Sequence, residues 1–151
     1  MEMRIETSPA YTVAYIRYTG PYGPVNAQTM DALKIWAESN RLLGDESIIL
    51  GIAQDDPPTT APEDCRYDAC LVLGQNTPIH DKSIHMGSVT GGRYAIFTIP
   101  HTPEAVYAAW REAIPELQRQ GYQPDLSRPI MERYAARLVQ AHLCEICVPV
   151  H

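Results

Sequence analysis

Apolar, β-branched and aromatic side chains fill residues 11–18 and predict a strand, which Gly20-Pro21-Tyr22-Gly23-Pro24 ends. A shorter strand is predicted before it, over residues 4–7, closed by Ser8-Pro9. From Val25 to about Asn40 the period changes. Met30, Leu33, Trp36 and Ala37 recur at helical spacing, after a proline that a helix start tolerates. Residues 47–53 form an almost continuous apolar run of strand length, and residues 66–73 place Tyr67, Ala69, Leu71 and Leu73 on one face of a further strand. Between these two lies an acidic, proline-rich loop, residues 54–64, too long for a tight hairpin.

After a break over residues 74–81 the pattern starts again. Residues 84–89 predict a weak strand and 93–99 a strong one. A helix follows from Pro103 to about Gln120, with Val106, Trp110, Ala113 and Leu117 on its inward stripe, Thr102 as N-cap and Gly121 past its end. Strands over residues 129–135 and 143–150 complete the chain. Both halves, about 1–76 and 82–151, read strand, strand, helix, strand, strand, offset by about 80 residues. The two helices match only with a shift of several residues. The pattern predicts one α+β domain over residues 1–151: an antiparallel sheet, two helices packed on it, and a cleft where pseudo-symmetric halves meet.

One residue breaks the pattern. In Ile130-Met131-Glu132-Arg133-Tyr134, strand alternation puts Glu132 on the face of Ile130 and Tyr134, and Arg133 on the other. A carboxylate among apolar neighbours is costly unless something pairs with it. Three readings are open at this point: a structural ion pair with Arg133 or a distant base, a wet edge strand, or a site waiting for a cation.

Composition narrows the choice of partner. The chain has 151 residues, 45% hydrophobic and 20% charged, with a net charge of −6 and a pI near 5.3. Nucleic-acid binding needs a concentrated basic surface, and no run supplies one. No apolar stretch approaches the roughly 20 residues needed to span a bilayer, and the N-terminus lacks a signal pattern, so a cytoplasmic protein is expected. Cys65, Cys70, Cys144 and Cys147 lie in apolar strand-like runs as reduced thiols. Cys144 and Cys147, three apart in a strand, point to opposite faces, and the five histidines show no ligand spacing. No metal or cofactor is expected.

The chain resembles the GyrI-like small-molecule-binding family, which includes bacterial gyrase-inhibitory proteins and the effector-binding domains of some AraC-type and MerR-type regulators. The resemblance rests on Val13-Ala14-Tyr15 with Thr19-Gly20-Pro21-Tyr22-Gly23, on Asp55-Asp56-Pro57 through Arg66-Tyr67-Asp68, on Gly91-Gly92-Arg93-Tyr94-Ala95, on Ile130-Met131-Glu132-Arg133-Tyr134, and on Ile146-Cys147-Val148-Pro149-Val150. It implies a duplicated strand-helix-strand-strand fold with an aromatic cleft, and an acid, at the position of Glu132, facing bound lipophilic cations. The family also contains hydrolases that open cyclopropane-bearing genotoxins. Its regulators carry a DNA-binding module, for which the domain here leaves no room.

Nine tyrosines and two tryptophans against one phenylalanine suit a wall that is apolar yet partly wet. Tyr134 shares the face of Glu132, Tyr67 follows the acidic loop, and Tyr22 lies in the turn before the first helix. Trp36 and Trp110 lie on inward helix stripes, where a plain core role competes with a place in the wall. Asp55 and Asp56 are placed to add negative field at the rim. Three functions are compatible with these residues. The first is a stand-alone binder of amphipathic aromatic cations, as sequestrant or sensor; the second is a hydrolase using Glu132 against a strained electrophile; the third is a protein partner of gyrase or a regulator, acting through the acidic loop.

Overall fold

A computed structural model describes residues 1–74, 79 and 81–151. Most of the break predicted over residues 74–81, and His80 with it, lies outside the described residues. The chain forms an α+β structure with one eight-stranded sheet. Its strands are β1 (Glu2–Ser8), β2 (Tyr11–Thr19), β3 (Ile48–Ala53), β4 (Arg66–Leu73), β5 (His85–Val89), β6 (Gly92–Pro100), β7 (Met131–Ala135) and β8 (Leu143–Pro149). Among the described residues the helices are α1 (Pro24–Ser39), α2 (Pro103–Arg119) and a short α3 (Ala136–Gln140), and a 3-10 turn spans Pro62–Asp64. All pairings are antiparallel, in the order β1-β6-β8-β7-β3-β4-β2-β5. Only β4 matches expectation at both ends, the other seven strands differing by one or two residues, and α3 occupies a connection to which the sequence pattern assigned nothing.

That order is a palindrome. The first strand of each half crosses over: β1 pairs with β6 of the second half, and β5 with β2 of the first. Tyr11 opens β2 and Gly92 opens β6, a spacing of 81 (92 − 11). Carried through the strand registers, the same spacing maps β3 onto β7 and Gly51 onto Glu132 (132 − 51 = 81), and these two residues face each other across the β3–β7 seam. The pseudo-two-fold axis therefore passes between Gly51 and Glu132.

Both helices form for legible reasons. Proline occupies the first position of each, and the Thr102 side chain accepts a hydrogen bond from the Ala105 amide at 3.1 Å to cap α2. Gly121, at φ +93, supplies the left-handed turn that ends α2, with the Tyr122 amide returning to the Leu117 carbonyl. Met30, Leu33 and Ala37 of α1 pack on Ala14, Ile49, Ala69 and Leu71, whereas Ala109, Ala113 and Leu117 of α2 pack on Ala95, Phe97, Ile146 and Val148. α1 thus covers β2 and β4, and α2 covers β6 and β8. The central strands β3 and β7 lie under the gap between them.

The opposite face carries no helix, yet it is buried. Val13, Leu50, Ile52, Cys70, Tyr94, Ile96, Met131 and Cys147 form one cluster, each 2% exposed or less. Burial without a second layer requires the sheet to curl over itself. Charge on this face is paired. Arg133 donates to Glu145 (2.8 Å) and Glu6 (3.0 Å), and Arg4 reaches the other Glu145 oxygen at 2.7 Å. Burial opposes ionisation of Glu6, but hydrogen bonds from Ser8 and Arg133 hold its carboxyl below the ordinary carboxylate value. In the other half Arg17 makes a two-point pair with Asp68, which also accepts from Gln54. Cys144 and Cys147 lie on opposite faces, in different clusters.

Candidate functional site

The floor of the gap between α1 and α2 is built by strand period. Ile130, Glu132 and Tyr134 rise from β7 toward the helices, while Met131 and Arg133 point the other way. Glu132 therefore has no ion pair with Arg133, and among the described residues it has none at all. Its partners are neutral. The Tyr134 hydroxyl donates to Oε1 at 2.6 Å and the Trp110 indole to Oε2 at 2.7 Å. Burial and then the neighbouring Glu132 charge push the Tyr67 and Tyr134 phenols well above their ordinary value, so both remain protonated. The carboxylate is half-buried.

The strand opposite makes the room. An added Cβ at Gly51 would lie 2.7 Å from the Tyr67 hydroxyl and 3.4 Å from Glu132 Oε1. A β-branched residue in a strand interior ordinarily gains stability over glycine, but here its Cβ collides with the Tyr67 hydroxyl and abuts Glu132. Gly51→Val is expected to lower stability by about 1–3 kcal/mol in urea denaturation, while Gly44→Ala, in open space, leaves it unchanged.

Two lobes open from Glu132. The larger, about 820 Å³, runs under the acidic loop past Tyr22, Tyr67, Trp110 and Ile130. The smaller, about 310 Å³, runs along α1 past Met30, Asp31 and Lys34 to His101 and Tyr134. Asn26, Tyr67 and Glu132 border both.

Of the six residues singled out from sequence, the fold brings five to this cleft: Glu132, Tyr134, Tyr67, Tyr22 and Trp110. Tyr22 borders the large lobe, and its hydroxyl donates to the Arg66 carbonyl at 2.6 Å and accepts from the Asp55 amide, pinning the loop to β4. Trp36 stays away. It packs beside the α1 core and its indole donates to Asp81 at 2.8 Å. Trp110 is not on the core stripe, which is Ala109, Ala113 and Leu117; it flanks that stripe and is 37% exposed. The rim charge is also smaller than expected. Asp55 is clamped by Arg66, whose side chain and amide hold its carboxyl below the usual range. Sequence reasoning passed over Gly51, Asn26 and His101, whose ring lies 5.4 Å from that of Tyr134. Local pattern carried no signal for any of them.

A sheet with a helix-flanked cleft on its pseudo-two-fold, walled by aromatic residues and floored by Glu132, is the architecture of a small-molecule binding domain. The sequence model of the GyrI-like small molecule binding domain matches residues 1–151, and the chain belongs to that family. Among similar proteins is YosT, from the SPbeta prophage of Bacillus subtilis (strain 168), 38% identical over 151 residues and 99% of both chains. DNA gyrase inhibitor 2 of Dickeya dadantii (strain 3937) is 27% identical over 126 residues, 82% of this chain and 79% of that one. A solved structure of SAV2435 bound to tetraphenylphosphonium has the same fold, with a TM-score of 0.63 and 17% identity, covering 100% of this chain and 94% of that one. No helix among the described residues is long and apolar enough to cross a membrane.

Proposed function

We propose that this protein binds amphipathic aromatic cations in the cleft at Glu132, acting as sequestrant or sensor. One observation carries the reading. The sheet's buried acids, Asp68 and Glu145, each have an arginine, whereas Glu132 has only neutral donors, so its charge is solvated by dipoles and left without a counter-ion. A delocalised cation without a tight hydration shell loses little on entering such a cleft and gains the uncompensated charge and the aromatic faces. The structural neighbour that holds tetraphenylphosphonium supports the same ligand class. The test is a thermal-shift comparison of tetraphenylphosphonium with neutral triphenylphosphine oxide. At 100 times its Kd a ligand adds about 2.7 kcal/mol, a shift of roughly 5–10 °C. Equal shifts for the charged and neutral compounds would contradict the reading.

The 2.6 Å contact between Tyr134 and Glu132 supports a second reading. A carboxylate and a protonated phenol in one cleft are an acid and a base set to open a strained electrophile, such as a cyclopropane, with water. That reading requires product in excess of enzyme. A role toward a protein partner such as gyrase would run instead through the exposed Asp56, Glu63 and Asp64 of the loop.

A further inference from the structure

The two lobes differ in chemistry, and that difference defines the ligand more closely. The large lobe is walled mainly by Tyr22, Pro57, Ile114, Leu126 and Ile130, with Trp110 at its edge. The small lobe is more polar, with Asp31, Lys34 and His101 beside Met30 and Tyr134. Asn26 stands at the junction, in the first turn of α1, and its Oδ1 is buried without a hydrogen-bond partner among the described residues. A buried acceptor left without a donor is costly, and a ligand that supplies the donor recovers that cost.

Resting on the reading that Glu132 receives the ligand's charge, we infer that the ligand has two parts. A flat aromatic body lies in the large lobe, the cationic centre sits at Glu132, and a short arm carrying an N–H or O–H donor continues past Glu132 into the small lobe. The arm follows the exposed side of α1 at Ala27 and meets Asn26 Oδ1, which a turn of the Asn26 side chain brings into the lobe. A round, armless cation occupies the large lobe and leaves the small one to water. The site thus prefers an alkyl-substituted heteroaromatic cation with a polar tail over a compact one of equal charge.

The experiment uses three acridinium ions that differ only at nitrogen: N-methyl, N-propyl and N-(3-hydroxypropyl). Titration calorimetry on the whole protein is expected to rank them with the hydroxypropyl compound about three- to tenfold tighter than the propyl, the net worth of one hydrogen bond. Asn26→Leu is expected to erase that difference. Ala27→Phe fills the small lobe from an exposed position on α1, where a larger side chain leaves the core untouched. It is expected to remove the advantage of both armed compounds and leave N-methyl affinity unchanged. Should the hydroxypropyl compound gain nothing, or keep its gain in Ala27→Phe, the two-part ligand is overturned while Glu132-dependent binding of N-methylacridinium still stands. If N-methylacridinium binds equally well to wild type and Glu132→Gln, the charge reading falls, and this inference with it.

Discussion

Glu132→Gln is expected to weaken binding of a lipophilic monocation by ten- to a hundredfold while the free protein melts at an unchanged or slightly higher temperature. Glutamine keeps the shape: its one carbonyl oxygen accepts from Trp110 while its amide N–H donates to the Tyr134 hydroxyl, so the substitution isolates the charge. At about 4 Å and an effective dielectric near 20, a carboxylate and a cation attract by about 4 kcal/mol, of which desolvation of the half-buried acid returns a part. A net loss of about 1.4–2.8 kcal/mol corresponds to the stated range. The free protein is not expected to suffer, because in it the charge has no cationic partner to lose. Indole emission gives a second readout. Trp36 is held by Asp81 away from the cleft, so a ligand-induced change is expected to report on Trp110, whose indole is bonded to Glu132. A Glu132→Gln protein that binds the cation as tightly as wild type would end the proposal.

The acid was visible in the sequence because strand alternation is a local rule. Two neighbours on one face, Ile130 and Tyr134, were enough to mark Glu132 as misplaced, and the same rule sent Arg133 to the other side. Gly51 was not visible. Its role depends on the register between β3 and β7, strands separated by α2 and three others, and a glycine in an apolar run gives no sign of what stands opposite. The tryptophans show the limit of helical spacing. Trp36 and Trp110 both match an inward stripe, yet only Trp110 flanks the gap between helices, since the width of that gap is set by how the two halves pair. The clamp of Arg66 on Asp55 was likewise hidden, because a loop acid reads as free until its partner strand is placed. The buried second face, with Tyr94 and Ile96 enclosed by curling of the sheet, is a property of the whole sheet that no single strand announces.

The largest loss of stability is expected at Arg133, one residue from the site and on the other face. Arg133 is 6% exposed and Glu145 2%, and they meet at 2.8 Å with no helix above them. Removing one member of a buried pair leaves the other charge unpaired in a poorly solvated place, at about 3–5 kcal/mol. Arg133→Met leaves Glu145 with Arg4 alone, an arginine that is itself half-exposed and shared with Glu6. A fall in midpoint of roughly 6–20 °C is expected for a chain of this size, and urea denaturation at unchanged m-value checks it. Adding Glu145→Met to the variant removes the orphaned charge and is expected to restore much of the loss, since an apolar pair of similar volume suits the surrounding cluster of Leu50, Met131 and Cys147. Cation affinity, measured well below the midpoint, should change little in either variant, because Glu132 keeps its strand and both of its donors. Loss of stability without loss of binding at Arg133, set beside loss of binding without loss of stability at Glu132, would show that neighbouring charges on β7 serve opposite faces of the sheet for different ends. A single Arg133→Met variant as stable as wild type would mean that Arg4 and water suffice for Glu145, and the curled face would then owe its stability to its apolar cluster alone.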